Sequence, residues 1–272
     1  MKKRLALLGG IVLSALLLMS FAGCEDAEGN PWITDISPES PMQFRSLGVE
    51  DPKTGVYVHG YLANGLKTAY VSEEEFFIPD QVLGLQVVGL GMAPFMSFTA
   101  NPIDIECDED EEWTIKELYC PGTVIRYLDG YFNLRGPLEL GDFTVYYCGT
   151  VVPLQMNREI LYYVPADQLE EYAVFVDAYN EENPKREFPG EFRAANIEYR
   201  YNAEERPVYY YVGHVEEGGV IEKIPPEPTR EGYEFKGWFT DENGTQAWDF
   251  SQPIRTGEQE SLKLFARWQK LP

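Results

Sequence analysis

The sequence predicts a mainly β protein in two modules, a short solenoid of degenerate repeats followed by a small compact module at the C-terminus. Three observations carry this expectation. Strand–turn segments resembling one another recur between about residues 70 and 175. From residue 207 onward, aromatics and glycines alternate in the manner of short strands joined by tight turns. Polar stretches rich in proline, at 25–46 and 176–206, flank the repeats and read as connecting segments.

The N-terminus comes first. Lys2, Lys3 and Arg4 form a positive segment, and Leu5 to Phe21 is an apolar run broken by Gly9, Gly10, Ser14 and Ser20. It closes on Phe21-Ala22-Gly23-Cys24, with the acidic Glu25-Asp26-Ala27-Glu28 behind it. This is the plan of a secretory signal covering residues 1–23. The run falls short of the ~20 uninterrupted apolar residues that a membrane span needs. The Phe-Ala-Gly-Cys ending resembles the lipobox of bacterial lipoproteins, with Phe21 where that family usually has Leu. The resemblance implies a lipid on Cys24 and attachment to the outer face of a bacterial membrane. An ordinary signal cut near Ala22 or Gly23 would instead leave Cys24 as a free thiol. Residues 24–46, with Asn30-Pro31 and Ser37-Pro38-Glu39-Ser40-Pro41, read as an extended tether.

Loss of the signal removes three basic residues and no acid. The 22 Lys and Arg of the full chain become 19 against 45 Asp and Glu, a formal charge of −26. Such a surface repels phosphates, so nucleic acid is excluded as an expected partner.

Residues 47–180 are expected to hold the repeats. Ile78-Pro79-Asp80-Gln81-Val82 leads through Val87-Val88-Gly89-Leu90 to Phe95, and Leu118-Tyr119-Cys120-Pro121-Gly122-Thr123-Val124 leads through Ile125 and Leu128 to Phe132. A third, weaker copy is Phe143-Thr144-Val145-Tyr146-Tyr147-Cys148-Gly149-Thr150-Val151. Leu161-Tyr162-Tyr163-Val164-Pro165-Ala166 then passes from strand into a helix-like segment ending near Tyr172. No copy can bury its apolar face alone, so the strands are expected to stack into one continuous core. These residues resemble the BspA-type leucine-rich repeats of bacterial surface proteins over about 70–175, with an acidic segment, Asn101–Glu112, inserted after the first copy. The resemblance implies a leucine-rich-repeat solenoid.

A linker is expected over 181–206 and the second module over 207–270. There Val208-Tyr209-Tyr210-Tyr211-Val212 and Glu217-Gly218-Gly219 precede Gly232-Tyr233-Glu234-Phe235-Lys236-Gly237-Trp238, with Trp248, Phe250 and Leu264-Phe265-Ala266-Arg267-Trp268 after it. Tyr233 and Phe235 should share one strand face, as should Leu264, Ala266 and Trp268. Gly232 and Gly237 should bracket the aromatic strand as turns. This pattern resembles the Listeria–Bacteroides repeat, the B-repeat of internalin-type surface proteins, with Glu-Gly-Gly where the family commonly has Asn-Gly-Gly. It implies a small β-grasp-like (α+β) fold whose defining core is Tyr233, Phe235, Trp238, Trp248, Phe250 and Trp268.

The chemistry-bearing residues are few. His59 and His214 are the only histidines and read as surface residues, with no nucleophile, zinc or phosphate-loop motif nearby. No catalytic residue, metal or cofactor is expected. The acidic run from Asp104 to Glu112 reads as a solvated loop rather than a Ca²⁺ site, and Asp241-Glu242-Asn243-Gly244 as a hairpin turn. Cys120 and Cys148 fall in similar places of neighbouring copies, so they are a candidate disulfide or two reduced thiols stacked in the core. The tyrosines suggest sugar-stacking faces, although most are expected inside the core. Taken together, these readings lead to the expectation of a non-catalytic, lipid-anchored surface protein that binds proteins or glycans in adhesion. The alternative is an accessory lipoprotein capturing extracellular polysaccharide.

Overall fold

The structure, a computed structural model, describes residues 32–33, 42–66, 75–90, 103–105, 116–127, 132–134, 140–151, 159–185, 187–256 and 261–272. The signal 1–23, Cys24 and most of the acidic segment 101–112 lie outside the described residues. The fold is mainly β and built from several sheets. β1 (Trp32–Ile33), β2 (Met42–Glu50) and β3 (Tyr57–Leu66) come first. β4 (Glu75–Phe77), β5 (Gln81–Val82), β6 (Leu85–Leu90), β7 (Ile103–Ile105), β8 (Glu117–Cys120), β9 (Arg126–Tyr127) and β10 (Phe132–Leu134) follow. β11 (Thr144–Tyr147) and β12 (Leu161–Val164) precede helix α1 (Leu169–Glu182). β13 (Glu191–Ala194), β14 (Ile197–Arg200), β15 (Tyr209–Gly213), β16 (Tyr233–Phe239) and β17 (Leu262–Lys270) complete the order.

The expected stacking of repeat strands is present. β4, β8, β11, β12 and β13 form one wholly parallel sheet in sequence order. Its register sets Phe77, Tyr119, Tyr146 and Tyr163 side by side. Two further parallel pairings, β6 with β9 and β7 with β10, repeat the relation one step along each copy. The local sequences explain the arrangement. Thr144-Val145-Tyr146-Tyr147 and Leu161-Tyr162-Tyr163-Val164 are near-continuous apolar runs without polar alternation, as parallel strands covered on both faces require. One face packs against β2, β3 and β6, where Phe44, Tyr61, Val87, Leu118, Val145, Tyr147 and Tyr162 make a core. The helix α1 covers that core through Tyr172, which is 2% exposed, and it lies on β13. Glu170 and Glu171 in its first turn suit the positive end of the helix dipole, and Pro184 follows its end.

Residues 196–272 form a four-stranded mixed sheet in the order β15-β14-β17-β16, with β14 and β17 parallel and the other pairs antiparallel. Leu264 and Ala266 on β17 are fully buried and Trp268 packs partly buried beside them, the shared face expected of alternate residues.

Three boundaries differ from the sequence expectation. The tether was expected to extend to residue 46, but β1 and the start of β2 pair within 32–46, and Phe44 is buried against Tyr61 with ring centroids 6.5 Å apart. One large aromatic placed over a core outweighs a proline-rich composition. The linker expected over 181–206 contains β13 and β14, so the second module starts about ten residues before 207. The signal for β14 is the alternation of Ile197, Tyr199 and Tyr201, all buried, with Glu198 and Arg200 between them. Gly237, expected as a turn, sits inside β16 at a register shift between Phe235 and Trp238, and its φ of +114° is open to glycine.

Candidate functional site

The two modules meet face to face. β15 lies across β8, β11 and β12. The second core is therefore shared: Tyr119, Tyr146 and Cys148 from the repeats are buried with Ile197, Tyr199, Tyr201, Tyr210, Tyr211, Trp238 and Leu264 from the C-terminal sheet. Tyrosine suits such a junction because its ring fills the core while its hydroxyl reaches a partner. The Tyr211 hydroxyl donates to the Ile78 carbonyl at 2.5 Å. The Tyr209 hydroxyl donates to the Asp167 carboxylate at 2.5 Å, and the Tyr201 hydroxyl to Asp80. Asp80 is 6% exposed, with the Arg206 guanidinium 3.9 Å away. Burial pushes its pKa upward, against the pull of Tyr201 and Arg206. At Gly122 the backbones touch: its N–H donates to the Tyr210 carbonyl at 3.1 Å, and an added Cβ would stand 2.1 Å from the Tyr209 carbonyl oxygen.

Beside this junction opens a cleft of about 340 Å³ between the strands of the repeats and the segment 213–223. Phe77, Tyr119, Tyr146 and His214, which line it, belong to a ladder of rings that Tyr163 completes. Phe77 stacks on Tyr119 at 4.1 Å and Tyr119 on Tyr146 at 4.3 Å. Tyr146 stacks on Tyr163 at 5.4 Å and Tyr163 on His214 at 4.3 Å. The hydroxyls of Tyr119 and Tyr146 both donate to the Glu117 carboxylate at 3.2 Å. Burial, then the neighbouring ring and carboxylate, pushes the pKa of each phenol up. Lys223 reaches across from the C-terminal module to Glu75, at 2.7 Å, and to Glu117. Burial would lower its pKa, but the two carboxylates outweigh it and hold it above the usual lysine value. Tyr199, 2% exposed, and His214 also line the cleft. The Tyr199 hydroxyl and His214 Nδ1 are buried without a hydrogen-bond partner. Burial lowers the His214 pKa, so the imidazole is neutral at neutral pH.

The residues singled out in the sequence are distributed as follows. Trp238 is buried in the shared core, and Phe235, Trp248, Phe250 and Trp268 pack partly buried against it. Tyr233 lies outside that cluster, under the Arg230 guanidinium at 3.8 Å. His214 is half-buried in the ring stack rather than a surface residue; His59 is exposed. Asp241 closes a tight turn, accepting from the N–H groups of Thr245 and Gln246 at 2.9 Å, with Gly244 at φ +65°. The inner rings of the tyrosine ladder cover one another, so they offer no open faces on which a sugar could stack. Among the described residues, no three His, Cys, Asp or Glu side chains converge as a metal site.

Cys120 and Cys148 are free thiols. In the parallel register Cys120 lies beside Tyr147, so Cys148 is one residue out of step and points to the opposite face of the sheet. Accordingly Cys120 belongs to the first core and Cys148 to the shared one. The Cys148 thiol lies 3.3 Å from the Cys120 carbonyl oxygen. Burial pushes both thiols well above the ordinary cysteine range. Peptide mapping should therefore find both unmodified by iodoacetamide in the native protein and both alkylated in guanidinium. A disulfide-linked peptide pair would contradict this geometry.

The second module was legible from its strand aromatics, whereas the cleft residues Phe77, Tyr119 and Tyr146, with Tyr163 stacked beside them, were not singled out. Their signal was the recurrence of an aromatic at one position of each copy. No helix among the described residues is long and apolar enough to cross a membrane. No solved structure matches the chain. Two proteins of Evansella cellulosilytica with membrane-protein names, one of them Gly-rich, share 42% identity over 50 residues and 44% over 45 residues. These stretches are 18% and 16% of this chain, and only 5% and 6% of the relatives' own lengths. The Listeria–Bacteroides repeat domain family matches residues 196–267, so the mixed sheet that closes the cleft is similar to that repeat.

Proposed function

We propose that this chain is a lipid-anchored, non-catalytic protein of the bacterial cell surface that binds proteins or glycans in adhesion. The observation that carries the reading is the docking of a Listeria–Bacteroides-like sheet onto the stacked strands so that both line one cleft. The ladder of parallel strands supports the finer reading of residues 47–180 as a degenerate leucine-rich-repeat solenoid of the BspA type, and the mixed sheet supports a β-grasp-like module. The membrane-protein names of the Evansella relatives accord with a place at the cell envelope. Cys24 is the anchoring residue in this proposal, because one thioether-linked lipid with a second acyl chain holds a protein where a single chain would not.

The test has two arms in a bacterium expressing the whole protein. Wild type should sediment with membranes and be accessible to protease on intact cells, while Cys24→Ala should appear in the medium; equal membrane association of the two would overturn the anchor. Purified residues 25–272 should bind at least one member of a panel of glycans and extracellular matrix proteins saturably. Binding to none of them would overturn the adhesion reading.

A further inference from the structure

We infer that His214 is an acid-released clasp, which holds the C-terminal sheet to the last strands of the repeats at neutral pH and lets go on protonation. The residue directly follows β15 and reaches back over the parallel sheet. Its ring lies on Tyr163 of β12 with centroids 4.3 Å apart, and one ring nitrogen is hydrogen-bonded to the Ala194 backbone of β13. The other, Nδ1, is sealed from solvent and has no partner. Asn196, between β13 and β14, fixes the next residue. Its side-chain amide donates to the Val215 carbonyl at 2.6 Å and accepts from the Val215 N–H at 3.0 Å. Of the groups in this contact, only the imidazole changes charge near neutral pH.

A neutral imidazole fits this place, bonded to Ala194 through one nitrogen and bare at Nδ1. A protonated one brings a second N–H and a full charge to a spot that has no acceptor for them. The groups around it supply none. Arg193 on β13 repels the cation, although Glu191 pairs with that guanidinium at 2.7 Å. Glu216, exposed on the same loop, attracts the cation without bonding it. Tyr163 offers a ring face. Across the cleft, Lys223 engages Glu75 on β4 and Glu117 on β8, Glu117 also accepts from Tyr119 and from Tyr146 on β11, and Glu222 is exposed. Burial therefore outweighs the attraction and keeps the imidazole below its usual value, whereas a released ring returns to about 6.5. Because the released ring takes up the proton first, the clasp is at full strength above that pH and weakens as the pH falls through it. Acid then frees the segment 213–223 that walls the cleft.

The experiment follows residues 25–272 by NMR from about pH 8 to about pH 4.5, with the exposed His59 replaced (His59→Gln) so that a single imidazole remains. The His214 ring signal should titrate below the ordinary histidine value. The Val215 amide, corrected for its intrinsic exchange rate, should lose hydrogen-exchange protection in acid by up to about tenfold per pH unit, the limit for one proton. His214→Phe keeps a ring against Tyr163 and cannot take a proton, so in it the protection of Val215 should stay level over the same range. Carboxylates elsewhere titrate in both proteins and cancel in the comparison. A ring that titrates at or above the ordinary value would overturn the clasp, and that measurement needs no variant at position 214 to fold. Protection that falls in parallel in the two proteins would overturn it equally.

Discussion

Trp238→Ala should lower the stability of the protein by about 3–5 kcal/mol, one of the largest effects of any single substitution in the C-terminal module. The indole is 5% exposed and meets three rings: Tyr199 at 5.0 Å, Phe235 at 5.2 Å and Tyr210 at 5.9 Å. Deleting it leaves a cavity bounded by stiff aromatics on β14, β15 and β16, which cannot collapse inward without breaking register. The bulge at Gly237 is what turns Trp238 into this core, and the Trp238 carbonyl accepts from the Trp248 N–H at 2.9 Å. Chemical denaturation should show the midpoint falling with little change in slope. Tyr233→Ala, by contrast, removes a ring that lies outside the cluster and should cost well under half as much. Equal losses for the two would mean that the module is not organised around Trp238.

This contrast marks what the sequence could and could not convey. Tyr233 and Trp238 look alike in sequence, both being aromatics of one strand; the bulge returns Trp238 to the face that Tyr233 and Phe235 share, while Tyr233 stands at the strand's end, outside the core. The repeats were legible because a strand, a turn and a valine recur in each copy; the aromatic that recurs at Phe77, Tyr119, Tyr146 and Tyr163, a position that a parallel stack preserves, went unremarked. The cysteines misled for the same kind of reason. Matching Cys120 to Cys148 requires skipping Pro121. Aligning Gly122-Thr123-Val124 with Gly149-Thr150-Val151 without a gap sets Cys120 beside Tyr147, as the strands do. The cleft was not legible because its residues come from distant copies and from the far module, and a tyrosine buried against another module has the same local pattern as one buried in its own. The linker over 181–206 was inferred from polarity, yet the alternation from Ile197 to Tyr201 already described a half-covered strand.

The consequence of that docking is the second large prediction. A chain ending at residue 195 should lose its cooperative fold, although it keeps all five strands of the parallel sheet. The cut would bare Tyr119, Tyr146 and Cys148, now 5%, 5% and 3% exposed, together with the partly buried Phe77 and Tyr163. At about 2 kcal/mol for each large side chain returned to water, the loss rivals the roughly 5–15 kcal/mol that holds an ordinary domain folded. It would also remove the hydroxyl partner of Asp80 and the cation beside it, and the donor to the Ile78 carbonyl. Gly122, whose backbone fits directly against Tyr209, would have nothing to meet. The truncated chain should bind a hydrophobic dye, broaden its amide NMR spectrum and associate on size exclusion, whereas residues 25–272 should do none of these. A sharp melting transition within a few degrees of the longer chain, with a monomeric elution, would mean that the two modules are independent beads. The cleft between them would then be incidental to either fold. If the truncated chain does fail, the same sheet-on-sheet contact both stabilises the repeats and builds the cleft, so a ligand bound there would tighten the junction and raise the melting temperature of the whole chain.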